Sequence, residues 1–194
     1  MINKNQITGI ILAGGRSSRM GSDKGFLTFK SETFTEHIIS ALNPLVSEIL
    51  IVSDNSDYDI FGLKRIKDKI KNAGPVSGIV SGLEASKTDY NLILSCDIPL
   101  ITTKVLQQII ESYEEGFEIV QVESHGKSMP LIALYLKNVK ETFKECLQLD
   151  ERRLRIAVKN CAFKNVVLDK TLANNTQNIN TVKDFNDFIH VNNN

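Results

Sequence analysis

Short, almost entirely apolar runs alternate with helix-patterned segments along this chain, and this alternation constrains the fold more than any other feature. The runs are rich in β-branched residues and cover positions 7 to 12, 48 to 52, 90 to 95, 117 to 122 and 130 to 136. Strands that are apolar on both faces are expected where helices cover both sides of a parallel sheet. The pattern therefore predicts an α/β fold of three layers, α/β/α, around a mostly parallel sheet.

Two of the helix-patterned segments are clear enough to place. Apolar residues recur at helical spacing from Phe34 to Leu45, and Thr33 and Glu36 stand where a capping box would begin that helix. A second such pattern runs from Leu106 to Tyr113. Because no internal repeat, low-complexity linker or proline-rich boundary interrupts the 194 residues, we expect a single domain.

Charge, the length of apolar runs and cysteine content exclude several classes of protein. Lys and Arg total 23 and so do Asp and Glu, which leaves no basic field to attract nucleic acid or an anionic membrane surface. No apolar run reaches the roughly 18 residues of a spanning helix, and the first run is too short for a signal-peptide core. Cys96, Cys146 and Cys161 lie far apart, so neither a disulfide framework nor a zinc site is indicated. We expect a soluble, cytoplasmic protein.

Glycines and cations follow the first apolar run directly, in the segment LAGGRSSRMGSDK at 12 to 24. They are Gly14, Gly15, Gly21, Arg16, Arg19 and Lys24. In open α/β sheets the ligand crevice lies beyond the carboxyl ends of the strands, which is where this segment falls. Glycines let backbone amides approach an anion, and the cations add positive charge. We interpret the segment as a phosphate-binding loop.

Two common phosphate-binding signatures are nevertheless absent from this loop. In the pattern GxxxxGK[ST] counted from Gly15, Met20 takes the place of the second glycine and Gly21 comes one residue late. The pattern GxGxxG does not occur either. A surface turn of glycines and serines with solvated charges remains the alternative interpretation.

Two further stretches could contribute to a site. In SCDIPL, Asp97 follows the strand at 90 to 95, where a carboxylate could hold Mg²⁺ together with substrate phosphates, although Asp is also a common turn residue. In NAGPVSGIVSGL, Gly78 and Gly82 could let a nucleoside lie against the backbone of a helix start. Close packing of that helix on the sheet is the alternative for these two glycines.

These motifs resemble those of one family. LAGGRSSRMGSDK resembles the nucleotide-binding signature of the molybdenum cofactor guanylyltransferases, and GPVSGIVSGL and CDIP resemble its second and third signatures in the same order. MPLIALY, ERRLR and NINTVKDF resemble the substrate-side segments, so the resemblance covers nearly the whole chain. It implies a Rossmann-like fold of the nucleotide-diphospho-sugar transferase type, with a nucleotide-binding half at about 1 to 100 and a substrate half at about 101 to 190 in one domain at 1 to 194.

The resemblance also implies roles for individual residues. The residues that it implies for nucleotide binding are Leu12, Ala13, Gly14, Gly15, Lys24, Asp68, Gly78 and Asp97. Those implied for catalysis are Arg19, Lys24 and Asp97, with Asp97 as the Mg²⁺ ligand, and Asn180 would face the pterin substrate or the metal. The chain departs from the family's pattern at Ser53, where an asparagine is frequent, and at Asp150, where a glycine is common.

The implied activity is transfer of GMP from GTP to the terminal phosphate of Mo-molybdopterin, with release of pyrophosphate. The implied partners are GTP, Mo-molybdopterin, and molybdenum-insertion and molybdoenzyme acceptor proteins. A cytidylyltransferase acting on the same cofactor, or on a sugar or polyol phosphate, would use the same loop and metal; its signature tends to be LAAG, so Gly14 favours guanine. A non-catalytic nucleotide-binding adaptor is a third hypothesis, against which Lys24 and Asp97 together argue.

Overall fold

A computed structural model describes residues 2–14, 23–70 and 73–192 of the chain and contains a seven-stranded sheet beside a small hairpin. The described strands are β1 (Ile7–Leu12), β2 (Thr28–Phe29), β3 (Glu32–Thr33), β4 (Glu48–Val52), β5 (Lys64–Ile66), β6 (Tyr90–Ser95), β7 (Ile119–Ser124), β8 (Lys127–Leu136) and β9 (Phe163–Val167). The order in the large sheet is β5-β4-β1-β6-β8-β7-β9, and β8 is the strand that runs antiparallel to both of its neighbours. The sheet is therefore mostly parallel, as predicted.

Helices cover both faces of this sheet. They are α1 (Phe34–Leu42), α2 (Gly74–Ala85), α3 (Thr103–Glu111), α4 (Val139–Gln148), α5 (Leu154–Lys159), α6 (Lys170–Ala173) and α7 (Val182–Asn192). Ile11 of β1 belongs to the core cluster that includes α1 and α3, whereas Ile10 belongs to the cluster that includes α2, α4 and α5. Because successive side chains of a strand point to opposite faces, both sides of each central strand must be apolar. The predicted three-layer α/β/α fold is confirmed.

The predicted elements agree closely with the observed ones where their local signals are strong. The first three predicted strands coincide with β1, β4 and β6. The capping box of α1 is also present: the Thr33 hydroxyl accepts from the Glu36 N–H at 3.2 Å, and Glu36 Oε2 accepts from the Thr33 N–H at 2.6 Å. The three cysteines are buried and form no disulfide.

The β7–β8 hairpin differs from its predicted bounds. β8 begins at Lys127, three residues earlier than the apolar run at 130 to 136, and β7 extends to Ser124. A two-residue turn joins them, with positive φ angles of 49° at His125 and 71° at Gly126. Pairing therefore continues to the turn, beyond the apolar part of the sequence, and a register shift between Gln121 and Val122 accommodates it.

A third, smaller core holds the C-terminal part of the chain against the small hairpin. Phe29 and Phe34 pack against Phe188 of α7, with ring centroids 4.7 Å and 6.0 Å from it. Ile179, in the segment before α7, is fully buried in the same cluster. This packing directs the segment at 177 to 181 along the carboxyl edge of the central strands. No helix within the described residues is long and apolar enough to cross a membrane.

Candidate functional site

The candidate site lies at the carboxyl ends of β1 and its two neighbours, β4 and β6. Pairing continues one residue past β1, since the Ala13 N–H donates to the Val52 carbonyl at 2.9 Å and the Cys96 N–H donates to the Leu12 carbonyl at 3.1 Å. Gly14 is then exposed, and a Cβ added there would meet no described residue within 4 Å apart from its chain neighbours. The chain passes from β1 to β4 and β5 on one side of β1 and then returns through α2 to β6 on the other side, so this edge is the switch point where α/β sheets bind ligands.

Lys24, Asp97 and Asn180 meet at this edge although they lie far apart in the sequence. Lys24 Nζ is 3.4 Å from Asp97 Oδ2 and donates to Asn180 Oδ1 at 2.7 Å. The side chains of Lys24 and Asp97 are only 17% and 12% exposed, so solvent screens this ion pair less than one on the open surface. The three residues come from the loop after β1, the loop after β6 and the segment before α7.

Asp97 has one oxygen that no described residue satisfies. Its Oδ1 is buried and has no hydrogen-bond partner, whereas Oδ2 faces the lysine. A buried carboxylate oxygen without a donor is costly unless a proton donor or a cation satisfies it. Mg²⁺ prefers oxygen ligands and commonly takes only one or two carboxylates, with substrate phosphates and water completing its shell. Asp97 therefore fits the metal-binding role predicted for it.

The described part of the chain offers no complete metal cage around Asp97. Within residues 2–14, 23–70 and 73–192 there is no group of three or more His, Cys, Asp or Glu side chains that could hold an ion together. A cation held here would depend on ligands from a bound nucleotide. This dependence suits a magnesium–nucleotide complex better than a permanently bound structural ion.

The position of Asn180 is fixed by its own segment. The N–H groups of Asn180 and Thr181 donate to Asp184 Oδ2 at 3.0 Å and 2.9 Å, and the Asp184 N–H donates back to the Thr181 hydroxyl. The hydrogen bond from the Asn180 N–H is the main cause that lowers the pKa of the Asp184 carboxyl. The Ile179 N–H donates to the Asp97 carbonyl at 2.9 Å, which ties this segment directly to the metal-binding candidate.

Asp68 lies apart from the Lys24–Asp97 pair, on the side of β5. Its Oδ1 accepts hydrogen bonds from the hydroxyl groups of Ser77 and Ser81, the latter at 3.3 Å, and from the Ile70 N–H at 3.2 Å. Both serines are buried in α2, one helical turn apart. Asp68 is thus anchored to α2, and its predicted contact with the nucleoside stays a prediction.

The glycines of α2 pack on the sheet. A Cβ added at Gly82 would lie 2.8 Å from Ile10 Cγ2, closer than side chains tolerate, and one at Gly78 would be 3.5 Å from Leu12 Cδ2. The packing interpretation accounts for Gly82 and gives Gly78 a position against the sheet. The nucleotide contact predicted for Gly78 stays a prediction.

A cavity of about 990 Å³ adjoins the site, and Asn180 is one of the residues that line it. Its polar and charged lining includes Ser95, His125, Lys127, Arg153, Arg155, Asn178 and Asn180. Glu151 lies beside it, where a hydrogen bond from the Arg153 side chain lowers the pKa of the Glu151 carboxyl to about 2. The cavity thus combines amide groups with several cations, which suits an anionic ligand.

Asn178 is a lining residue that the sequence motifs did not single out. Its Oδ1 is buried and has no hydrogen-bond partner among the described residues. The signal was present in NINT, because an extended segment with Ile179 fully buried places Asn178 and Asn180 together on the opposite side. Gly15 and Arg19, predicted to lie near the phosphates, are outside the described residues, as are Arg16 and Gly21.

The fold is that of the α/β nucleotidyltransferases. Residues 9–164 match the model of the MobA-like NTP transferase domain family. The chain belongs to this family, and the resemblance recognised in its sequence motifs is confirmed.

Similar proteins cover nearly the whole chain. A protein of Flavobacterium johnsoniae named "Probable molybdenum cofactor guanylyltransferase" is 35% identical over 93% of this chain and 95% of its own length. A protein of the same name from Clostridium perfringens strain 13 is 37% identical over 92% and 94%. The crystal structure of molybdopterin-guanine dinucleotide biosynthesis protein A from Archaeoglobus fulgidus has a TM-score of 0.80 at 18% identity, covering 95% of this chain and 97% of that one, which shows the common fold.

Proposed function

We propose that this protein transfers GMP from GTP to the terminal phosphate of Mo-molybdopterin, releasing pyrophosphate and forming the Mo-molybdopterin guanine dinucleotide cofactor. The observation that carries the proposal is the convergence of Lys24, Asp97 and Asn180 at the carboxyl ends of β1 and β6, next to the cavity that Asn180 lines. The two similar proteins named as molybdenum cofactor guanylyltransferases support the choice of substrates.

The proposed reaction makes few chemical demands on the protein. The acceptor phosphate attacks the α-phosphorus of GTP in line, the bond to the β-phosphate oxygen breaks, and pyrophosphate leaves. A phosphate monoester is already mostly a dianion at neutral pH, because its second pKa is about 6, so no side chain has to remove a proton. The protein's contribution is to position two anions and to neutralise the charge that moves onto pyrophosphate.

Lys24 and Asp97 are the described residues suited to that electrostatic role. Asp97 would hold Mg²⁺, which supplies positive charge to the phosphates when it is bound. Lys24 carries its ammonium beside Asp97 and would bind the triphosphate. Arg19 is the third cation in this proposal, on the strength of the family resemblance.

The cavity beside Asn180 suits the second substrate. It is large enough for a ring system, and cations among its lining residues, Lys127, Arg153 and Arg155, would attract the acceptor phosphate. Asn178 and Asn180 offer amide groups to the polar edge of a pterin. The nucleotide half and the substrate half predicted from the sequence would then meet at Asn180.

Gly14 supports guanine as the base. It is exposed beyond the end of β1, and apart from its chain neighbours no atom of the described residues lies within 4 Å of the position that its Cβ would take. A methyl group there would project toward the space where we place the nucleotide, and beyond its chain neighbours it would contact none of the described residues. This is the position at which LAGG and LAAG signatures differ.

The first experiment measures thermal unfolding with Mg²⁺ and each of GTP, CTP, UTP and ATP. A ligand at 100 times its Kd adds about 2.7 kcal/mol of stability, so selective binding is readily detected. We expect a shift with GTP, followed by pyrophosphate release when Mo-molybdopterin is added. A selective shift with CTP would mean that the protein uses a cytosine nucleotide instead of GTP. GTP binding without pyrophosphate release would favour a non-catalytic nucleotide-binding adaptor.

A further inference from the structure

Asp23, the residue directly before Lys24, is held through both of its carboxylate oxygens. Oδ1 accepts from the Tyr58 hydroxyl at 2.6 Å and from the Gly25 N–H at 3.2 Å. Oδ2 accepts from the side-chain amide of Asn55 at 3.3 Å. Tyr58 and Asn55 belong to the segment after β4, so this segment holds Asp23, directly before the turn at Lys24–Phe26.

Tyr58 is suited to be a permanent donor in this contact. Its side chain is fully buried, and burial is the main cause that raises the pKa of its hydroxyl, so the hydroxyl keeps its proton at neutral pH. Cys96, the neighbour of Asp97, belongs to the same core cluster as Tyr58. Tyr58 therefore lies between the segments that carry Lys24 and Asp97.

The backbone of Gly25, next to Lys24, packs closely against Tyr58. A Cβ added at Gly25 would overlap the Tyr58 oxygen and would lie 2.7 Å from the Thr35 hydroxyl, which donates to the Gly25 carbonyl at 2.9 Å. The ring of Phe26 packs on that of Tyr58 with centroids 4.7 Å apart. The turn at Lys24–Phe26 is thereby held from both its backbone and its side chains.

We propose that Tyr58 and Asp23 are positioning residues that hold the Lys24 ammonium where the transferred phosphates require it. The proposal rests on the proposed function for the role of Lys24. An ammonium that acts on charge developing in the transition state must be held accurately, whereas ground-state binding tolerates more movement. Loss of the clamp formed by Asp23, Tyr58 and Asn55 should therefore lower kcat more than it raises KM for GTP.

A purely structural role for the buried hydroxyl predicts a different result, and the chain provides a matched control. Tyr135 is also fully buried, and its hydroxyl donates to the Pro130 carbonyl at 2.8 Å. Tyr135→Phe and Tyr58→Phe each remove the hydroxyl of a buried tyrosine with the hydrogen bond that it donates, and each leaves a ring of nearly the same shape. Only Tyr58→Phe releases the turn that carries Lys24.

The test compares wild type, Tyr58→Phe, Asp23→Asn, the double variant and Tyr135→Phe. We expect Tyr58→Phe to lower kcat for pyrophosphate release about tenfold while KM for GTP changes less than about threefold. Tyr135→Phe should leave kcat unchanged. The double variant should be no worse than the poorer single variant, because both substitutions break the same contact.

Amide hydrogen exchange tests the clamp without reference to the reaction. In Tyr58→Phe the Gly25 N–H should exchange faster than in wild type, and in Tyr135→Phe it should not. If the wild-type protein releases no pyrophosphate, the proposed function fails, and the exchange of Gly25 together with GTP affinity still tests the clamp. Unchanged Gly25 exchange in Tyr58→Phe, or an equal loss of kcat in Tyr58→Phe and Tyr135→Phe, would overturn the inference.

Discussion

The two sides of the crevice are built in different ways. On the nucleotide side, where we propose that GTP binds, the backbone at the ends of β1 and β6 forms the wall, and contacts such as the hydrogen bond from Tyr58 to Asp23 hold it. On the cavity side the wall is assembled from the β7–β8 hairpin, the start of α5 and the segment before α7. The nucleotide side is therefore defined by strand ends that any protein of this fold must have, whereas the cavity side depends on how separate elements are arranged.

The difference suggests a division of roles. Ligand contacts at strand ends are rigid because the sheet holds them, which suits the electrostatic part of catalysis. Contacts on loops and short helices vary more easily and suit selection of the acceptor. Substitutions on the nucleotide side should accordingly reduce turnover, and those on the cavity side should mainly weaken binding of the second substrate.

The largest effect is expected from Asp97→Ala. It removes the proposed metal ligand and leaves Lys24 without its carboxylate partner, and loss of such an electrostatic group costs on the order of 10²-fold or more in rate. Pyrophosphate release should fall to background, while the far-UV circular dichroism spectrum should stay that of the native fold. Asp187→Asn, on the exposed side of α7, is the control and should keep full activity. Normal turnover in Asp97→Ala would remove this residue from the mechanism.

A smaller and different effect is expected from Asn178→Ala on the cavity side. Because this substitution removes an amide from the cavity and leaves the nucleotide side intact, KM for Mo-molybdopterin should rise about tenfold, the value of one good hydrogen bond. Stabilisation by GTP should be unchanged. Asn186→Ala on the exposed part of α7 serves as the control. A parallel loss of GTP binding would mean that the two sides are not separable.

A stability effect without loss of nucleotide binding is expected from Gly82→Ala. The added methyl group would lie 2.8 Å from Ile10 Cγ2, and such overpacking costs about 1–3 kcal/mol. Gly78→Ala adds its methyl group at an ordinary 3.5 Å from Leu12 Cδ2, so it should be neutral or gain up to about 1 kcal/mol from helix propensity. Urea unfolding of both variants checks this order, and equal stabilities would contradict the packing at Gly82.

The smallest effect is expected from acid titration of the Glu151–Arg153 pair beside the cavity. Hydrogen bonding to Arg153 lowers the pKa of the Glu151 carboxyl from its ordinary 4.5 to about 2. A pKa lowered by folding stabilises the protein above pH 4.5, and this contribution is lost as the pH falls toward 2. Wild type should therefore unfold at a slightly higher temperature than Glu151→Gln at pH 7, and the difference should close on acidification. A difference that does not vary with pH would exclude the pair as its source.

The strands that sequence patterns do not predict are short or lie at an edge of the sheet. β5 and the β2–β3 hairpin contain too few residues to show a period, and β9 lies at an edge where one strand face is less apolar. The apolar run predicts a later start for β8 than the structure has. The first residues of β8 are polar, and their pairing at Lys127 depends on the turn at His125 and on β7. Pairing partners that are distant in sequence leave no local signal.

The sequence by itself determined the layered fold and the candidate residues at the carboxyl ends of β1 and β6. Strands buried on both faces require continuous apolar runs, and the residues that follow them fall at the ligand edge, so Gly14, Lys24 and Asp97 could be selected from contiguous motifs. The tertiary structure alone decided that Asn180 meets Lys24, that Asn178 faces the cavity and that Tyr58 holds Asp23. These contacts join residues from different elements, and only the packing of those elements on the sheet brings them within hydrogen-bonding distance.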